Sequence, residues 1–266
     1  MTAPVSNPMR ARIEAELTRI ETDENARILL AIESGSRAWG FHSGDSDYDV
    51  RFVYVRPVDW HLTLAPGRDV IERPLDDELD ISGWDLRKAL NLMLSGNAVI
   101  GEWIRSPIIY RRAPAAEDLG GLATRLLTRR PATWHYLRLL QRQKERLAGP
   151  GGGIRLKRLF YTVRPALSLR WMRLHDRAFP PMHMDALMAE TDLPDDIRTE
   201  IDALITLKMS RPESGEMDTH PTAILAFIQT EAERTEGWLA TPGRDEIPEA
   251  DRIAAERFHQ RLVKAT

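Results

Sequence analysis

The chain has 266 residues, 42% of them apolar, a formal net charge of −3 and no cysteine. That length predicts two domains, or one with a large extension. The near-neutral charge excludes a global polyanion binder, so any nucleic-acid affinity needs a local basic patch. The lack of cysteine excludes disulfides and thiolate metal sites. With no apolar signal core and no run near the ~18 residues of a membrane span, a soluble cytoplasmic protein without a membrane partner is expected.

After Pro8, "MRARIEAELTRIETDENA" is helical in period, with Ile13, Leu17 and Ile20 recurring at three and four. "RILLAIESGS" is a short apolar run ending in small residues, the pattern of a buried strand entering a tight turn. "DYDVRFVYVRP" is a second strand, stopped by Pro57. "DVIERPLDDELDISGWDL" holds a third, with Leu79 and Ile81 flanking Asp80. "SGWDLRKALNLMLSGN" follows as a helix with Ser82 as its candidate N-cap. Helix, strand, turn, strand, strand and helix make a small α/β unit.

Past Pro107 strand signals vanish and helical patterns dominate, from "ATWHYLRLLQRQKERLA" to "ADRIAAERFHQRLVKA". The expected division is residues 1–110 and a mostly helical 111–266. "GPGGGI" reads as a mobile loop between two of those helices. It lacks the G-K-[ST] ending of a P-loop.

The chemistry concentrates in "GSRAWGFHSGDSDYDVR". Strand side chains alternate, so Asp47 and Asp49 share a face, which Arg51 continues, while Tyr48, Val50 and Phe52 point to a core. Two carboxylates on one face repel unless a cation sits between them. A hard divalent ion with oxygen ligands, Mg²⁺ above all, meets that need. Asp80 offers a third carboxylate. Three acids, two of them bridging, suit two ions and in-line phosphoryl transfer. Upstream, "SGSR" exposes backbone N–H groups at a bend, a nest for phosphate oxygens. Ser34 and Ser36 add hydroxyls there, and Arg37 a charge. The plain alternative is a polar turn entering an edge strand with its acids solvated.

Gly35-Ser36, Asp47-Tyr48-Asp49 and Leu79-Asp80-Ile81 together resemble the signature of the DNA polymerase β-like nucleotidyltransferase superfamily. The longer "GSRAWGFHSGDSDYDVRFVYV", with "ELDISGWDLRKAL", "EWIRSPIIY" and "KRLFYTVRPALSLRWM", is similar to the RNA-repair-associated (RlaP-like) branch. The resemblance implies an α+β fold: a mixed sheet with flanking helices, then a mostly helical C-terminal domain that helps bind nucleotide and acceptor. It implies an NTP substrate, ATP for preference, and Mg²⁺. It makes Asp47 and Asp49 metal ligands and Asp80 the third carboxylate, which helps deprotonate the acceptor hydroxyl. Gly35 and Ser36 would hold the triphosphate. Asp76, Asp77 and Glu78 crowd the third-acid region, but Asp80 alone has apolar residues on both sides. Asp85 falls near a helix start, where an acid favours the dipole.

"IRLKRLFYTVRPALSLRWMRLHDR" is strongly basic. Lys157, Tyr161 and Arg164 lie at i, i+4 and i+7 on one helical face. The cations suit a triphosphate and Tyr161 suits stacking on a base, against the alternative of a solvated basic face. Leu156, Leu159, Phe160 and Val163 would face the core, and Pro165 would bend or break the helix. Lys208 reads as a snorkelling surface lysine. His42 reads as a solvent-facing loop residue, against the alternative of a nucleotide contact, and Trp39 as a base-pocket wall or loop anchor. Arg170 and His175 match R-x4-H, a spacing easily met by chance. The expected activity is transfer of NMP from an NTP to a hydroxyl: an RNA 3′ end, a protein such as an antitoxin-like partner, or a small molecule. A non-catalytic nucleotide binder remains the rival from another class.

Overall fold

The computed structural model describes residues 5–65, 67–73, 78–148, 153–210, 216–217 and 221–266. Helix α1 (Asn7–Asp23) starts where Ser6 Oγ accepts a hydrogen bond from the Met9 amide at 3.4 Å, with proline in its first turn. Ile13, Leu17 and Ile20, the expected stripe, are buried. Strand β1 (Arg27–Ser34) runs into a helical turn, α2 (Gly35–Trp39), and β2 spans Tyr48–Val55. Then come α3 (Val58–His61), β3 (Val70–Glu72), β4 (Leu79–Asp85), α4 (Leu86–Leu94), α5 (Val99–Ile104) and β5 (Ile109–Arg112).

The remainder is mostly helical: α6 (Ala115–Leu126), α7 (Arg129–Glu145), α8 (Leu156–His175), α9 (Met184–Ala189), α10 (Asp195–Ser210), α11 (Thr222–Ala240) and α12 (Glu249–Lys264). A two-stranded ribbon of β6 (Ile154–Arg155) and β7 (Glu216–Met217) accompanies them.

The five-stranded sheet has the order β3-β4-β2-β1-β5. It is mixed: β2 and β4 are parallel, and the other neighbouring pairs are antiparallel. The fold is α+β. One face buries Val50, Phe52, Tyr54, Leu79 and Ile81 under α1. The other face shares one apolar cluster with α4 to α12, so the sheet and the helical half are joined by a continuous core. A register shift between Ile28 and Leu30 lets Leu29 and Leu30 both enter that second cluster.

Four local expectations change. Strand β5 lies past Pro107, where none was expected; it is a short edge strand beside β1. The segment read as one strand around Asp80 contains two, β3 and β4. Ser82 does not cap α4, because pairing with β2 keeps β4 extended to its end. Asp85 is the cap instead, accepting from the Arg87 amide at 2.8 Å. Helix α8 runs unbroken through Pro165, packed against α7 and α11, so tertiary burial overrides the local penalty. The glycine-rich loop at 149–152 and the acids Asp76 and Asp77 lie outside the described residues.

Candidate active site

The parallel register of β2 on β4 sets Asp49 opposite Asp80. Both project from the face opposite α1, because Tyr48, Val50, Leu79 and Ile81 point toward α1. Asp47 stands immediately before β2 and is exposed. Its charge still reaches Asp49, whose carboxyl is held above the ordinary aspartate value. Burial is the largest cause; Arg51 opposes it, Asp80 and Asp47 add to it, and Lys157 opposes it. The three acids picked from the sequence therefore meet at one end of the sheet.

Arg51 reaches two of these acids directly. It donates to Asp80 Oδ2 at 2.7 Å and Asp49 Oδ1 at 3.2 Å, and to the backbone carbonyls of Val50 at 3.0 Å and Asp80 at 3.1 Å. Among the described residues no three carboxylate or imidazole groups converge on one metal position. Carboxylate oxygens are the donors a hard cation takes, and Asp49 Oδ1 is engaged by Arg51. Asp49 Oδ2 faces Gly35, where an added Cβ would stand only 2.1 Å from that oxygen. Gly35 also has φ +66°, a conformation that other residues rarely adopt, so glycine is required here twice over.

Beneath Asp49 lies a residue the sequence reading missed. Glu33 is fully buried in β1; its Oε1 accepts from the Asp49 amide at 2.8 Å, and its Oε2 accepts from the Tyr110 hydroxyl. Burial pushes its carboxyl up to about 7, against the pull of those two hydrogen bonds. A lone acid in an apolar run just before a Gly-Ser turn was the available signal.

The turn is a short helix rather than a loose nest. Its first amides lack intrahelical acceptors, as at any helix start. Ser36 is mostly buried within it. Arg37 is buried and turned onto the following loop. It donates to the carbonyls of Ser46 at 2.6 Å and Asp47 at 3.2 Å, with its guanidinium 3.7 Å from the Tyr48 ring centroid. Arg37 thus shapes the segment that carries Asp47.

The Lys157–Tyr161–Arg164 face splits by depth. Lys157 reaches Asp49 electrostatically. The Tyr161 ring meets Trp39 edge-on at 5.1 Å. Arg164 is buried, paired with Glu102 at 2.7 Å and lying over Trp39 at 4.7 Å. Leu156, Leu159, Phe160 and Val163 are core, as expected. Phe160 stacks on Phe41 at 4.5 Å, so α8 clamps the segment leaving the turn.

Further along, the basic patch is partly tied down, although Arg173 and Arg177 are exposed. Arg170 and Arg173 both pair with buried Glu231, at 2.9 and 3.1 Å. Arg170 also bonds the Thr191 carbonyl, and His175 the Glu190 carbonyl, so the R-x4-H pair fastens the segment after α9. Lys208 is not on the surface: it is 3% exposed and its Nζ lies 6.0 Å from the Phe41 ring. His42 is half-buried rather than solvent-facing. Burial lowers its imidazole, helped by Arg37 and Lys208, and its Nδ1 has no partner among the described residues.

A model of the RNA repair pathway DNA polymerase beta family (RlaP) matches residues 9–257. The chain belongs to that family. It is 41% identical over 228 residues to the uncharacterized protein YcgL of Bacillus subtilis (strain 168), covering 85% of this chain and 86% of the relative. A nucleotidyltransferase-like protein from Exiguobacterium sibiricum 255-15 aligns over 96% of this chain and 80% of its own, at 11% identity and a TM-score of 0.31. Membership in this polymerase β family supports nucleotidyl transfer as the general activity. No helix among the described residues is long and apolar enough to cross a membrane.

Proposed function

We propose that the chain transfers the NMP of an NTP, ATP for preference, to the 3′ hydroxyl of an RNA, with Mg²⁺ as cofactor. The observation that carries this reading is the β2–β4 register, which sets Asp49 against Asp80 beside the Gly35 turn. Asp47 and Asp49 would hold Mg²⁺, which when bound neutralises phosphate charge and steadies the leaving group. Gly35 and Ser36 seat the triphosphate, and Lys157 approaches it from α8. Arg37 holds the loop that presents Asp47. Tyr161 and Trp39 wall the base side, with Arg164 bracing Trp39 from below. Asp80 takes the proton of the attacking hydroxyl. The hydroxyl oxygen bonds the α-phosphorus, the α–β bridge breaks, and pyrophosphate leaves. Residues 1–110 carry this chemistry and 111–266 supply nucleotide and acceptor contacts.

An open groove of about 600 Å³ between the Ser95–Asn97 loop and α7 favours RNA over a protein or small-molecule acceptor. Trp134 is 41% exposed there, Arg138 lies over its ring at 5.5 Å, and Arg142 follows one turn on. None of its described lining residues is acidic. Cations beside an exposed aromatic suit a single strand, whose bases stack and whose phosphates pair.

The test is incubation with each α-labelled NTP, Mg²⁺, and cell RNA or cell protein. Label should enter RNA, resist protease and yield to RNase. Label in protein would replace the acceptor with a partner chain. Nucleotide binding without pyrophosphate release would leave a non-catalytic binder. Trp134→Ala should raise the KM for RNA about tenfold, the scale of one lost stacked base, with kcat unchanged.

A further inference from the structure

Helix α12 packs on α6, and a groove of about 520 Å³ runs along the seam. Leu122 and Phe258 are buried at its base. Ala250, Ile253, Ala254 and Arg257 of α12 line it. These four stand at i, i+3, i+4 and i+7, the diamond that receives a side-chain knob when two helices pack. Alanine at two corners leaves the hole open to a branched side chain, and Ile253 itself is 38% exposed beside it. The walls are already held: Arg125 pairs with Asp251 at 3.1 Å and Arg261 with Asp118 at 2.6 Å, tying α12 to α6.

The charges around Ile253 suit a second copy of the same helix. Glu249 lies four residues before it and Arg257 four after; both are exposed, and neither forms an ion pair among the described residues. In an antiparallel pair of α12 helices, with Ile253 of each in the diamond of the other, Glu249 of one copy meets Arg257 of the other, twice over. The helix ends agree. Glu249 and Asp251 occupy the first turn and Arg261 and Lys264 the last, so antiparallel packing sets acid on base. Arg252 and Glu256 break that polarity, but at 3.6 residues per turn they lie on the flank of Ile253 away from the groove. We infer that this face of α12 is an isologous interface between two copies of the chain, closed by Ile253 and two Glu249–Arg257 pairs. Such a contact is self-complementary and stops at two copies. It lies outside the acid cluster and does not depend on the transfer reading.

The test is sedimentation velocity of the full chain over a concentration series, with a thermal melt of each variant to show that the fold is intact. Wild type should move from 30.3 kDa toward twice that mass as concentration rises. Ile253→Asp, at an exposed position, should stay at the mass of one chain. Glu249→Arg and Arg257→Glu should each raise the dimer Kd about tenfold, through two lost pairs and two new repulsions. Mixing these two variants should restore wild-type affinity as a heterodimer, because every 249–257 contact then joins opposite charges again. Only the antiparallel register gives that rescue. A wild type that stays at one chain mass throughout would overturn the inference and leave the groove to a protein of another kind. A dimer indifferent to Ile253→Asp, or charge variants that do not rescue each other, would overturn it equally.

Discussion

The β2–β4 ladder carries a carboxylate at each end. Asp80 faces Asp49 at one end, and Asp85 faces Tyr54 at the other. The two ends differ in access and in what their hydrogen bonds accomplish. The side chains of Asp49 and Asp80 are 28% and 37% exposed and are bridged by an arginine, whereas Asp85 is fully buried and caps α4. Five residues of strand, about 17 Å at ~3.3 Å per residue, separate Asp80 from Asp85. The same residue type thus serves a solvent-reachable cluster and a closed helix cap. Position along one ladder decides which.

The sharpest way to break this comparison is to neutralise each end in turn. Asp49→Asn should reduce transfer about a thousandfold or more, because several kcal/mol of charge stabilisation at the phosphates are lost. Its melting temperature should stay within a few degrees of wild type, since repulsion with Asp80 and Asp47 is relieved. Rates with saturating NTP and Mg²⁺, set beside a thermal melt, read both quantities.

Glu33 sharpens the acid end from below. Its folded value of about 7 lies above the ordinary 4.5. The folded chain therefore holds a proton that the unfolded chain releases. The stability this provides is complete below pH ~4.5, and it declines as pH rises until Glu33 ionises near 7. The span corresponds to about 3 kcal/mol. Glu33→Gln should flatten that slope between pH 5 and 7 in urea melts. An unchanged slope would mean that Glu33 is not the group responsible.

Two glycines pose the same question in steric terms. A Cβ at Gly35 would meet Asp49 Oδ2 at 2.1 Å, and one at Gly83 would meet the Phe52 ring at 2.2 Å. Gly83→Ala should destabilise by about 1–3 kcal/mol through overpacking and leave kcat alone. Gly35→Ala should lower kcat as well, because the group it displaces is the Asp49 carboxylate proposed to hold Mg²⁺. Equal kcat in both variants would remove Gly35 from the site.

Asp49 and Arg51 were legible because strand alternation is strict, and Asp80 because Leu79 and Ile81 flank it; its meeting with Asp49 comes from the β2–β4 register. The α8 core face was legible by the same logic at period 3.6. Glu33 escaped because its hydrogen-bond partners, the Asp49 amide and the Tyr110 hydroxyl, lie on other strands and leave no local mark. Arg164 and Lys208 escaped for a related reason. Whether a helical cation is buried depends on a distant partner or packing surface, Glu102 for one and Phe41 for the other, and neither leaves a local mark. Strand β5 was hidden by its brevity and by the arginines of its exposed edge.

The smallest expected effect lies at the capped end. Asp85 Oδ1 accepts from the Arg87 amide, while Oδ2 is buried with no partner among the described residues. Losing the cap costs about 1 kcal/mol, but losing a desolvated oxygen returns part of that. Asp85→Ala should therefore destabilise by less than a typical cap deletion, and Asp85→Asn, which keeps the acceptor, by less still. Burial also raises the Asp85 carboxyl, so its contribution to stability fades as pH rises through that raised value, and the Asn variant should lose this dependence. Transfer per folded molecule should match wild type in both. A loss in Asp85→Ala as deep as in Asp49→Asn, with the fold intact, would show that the two ends of the ladder are coupled rather than divided between chemistry and support.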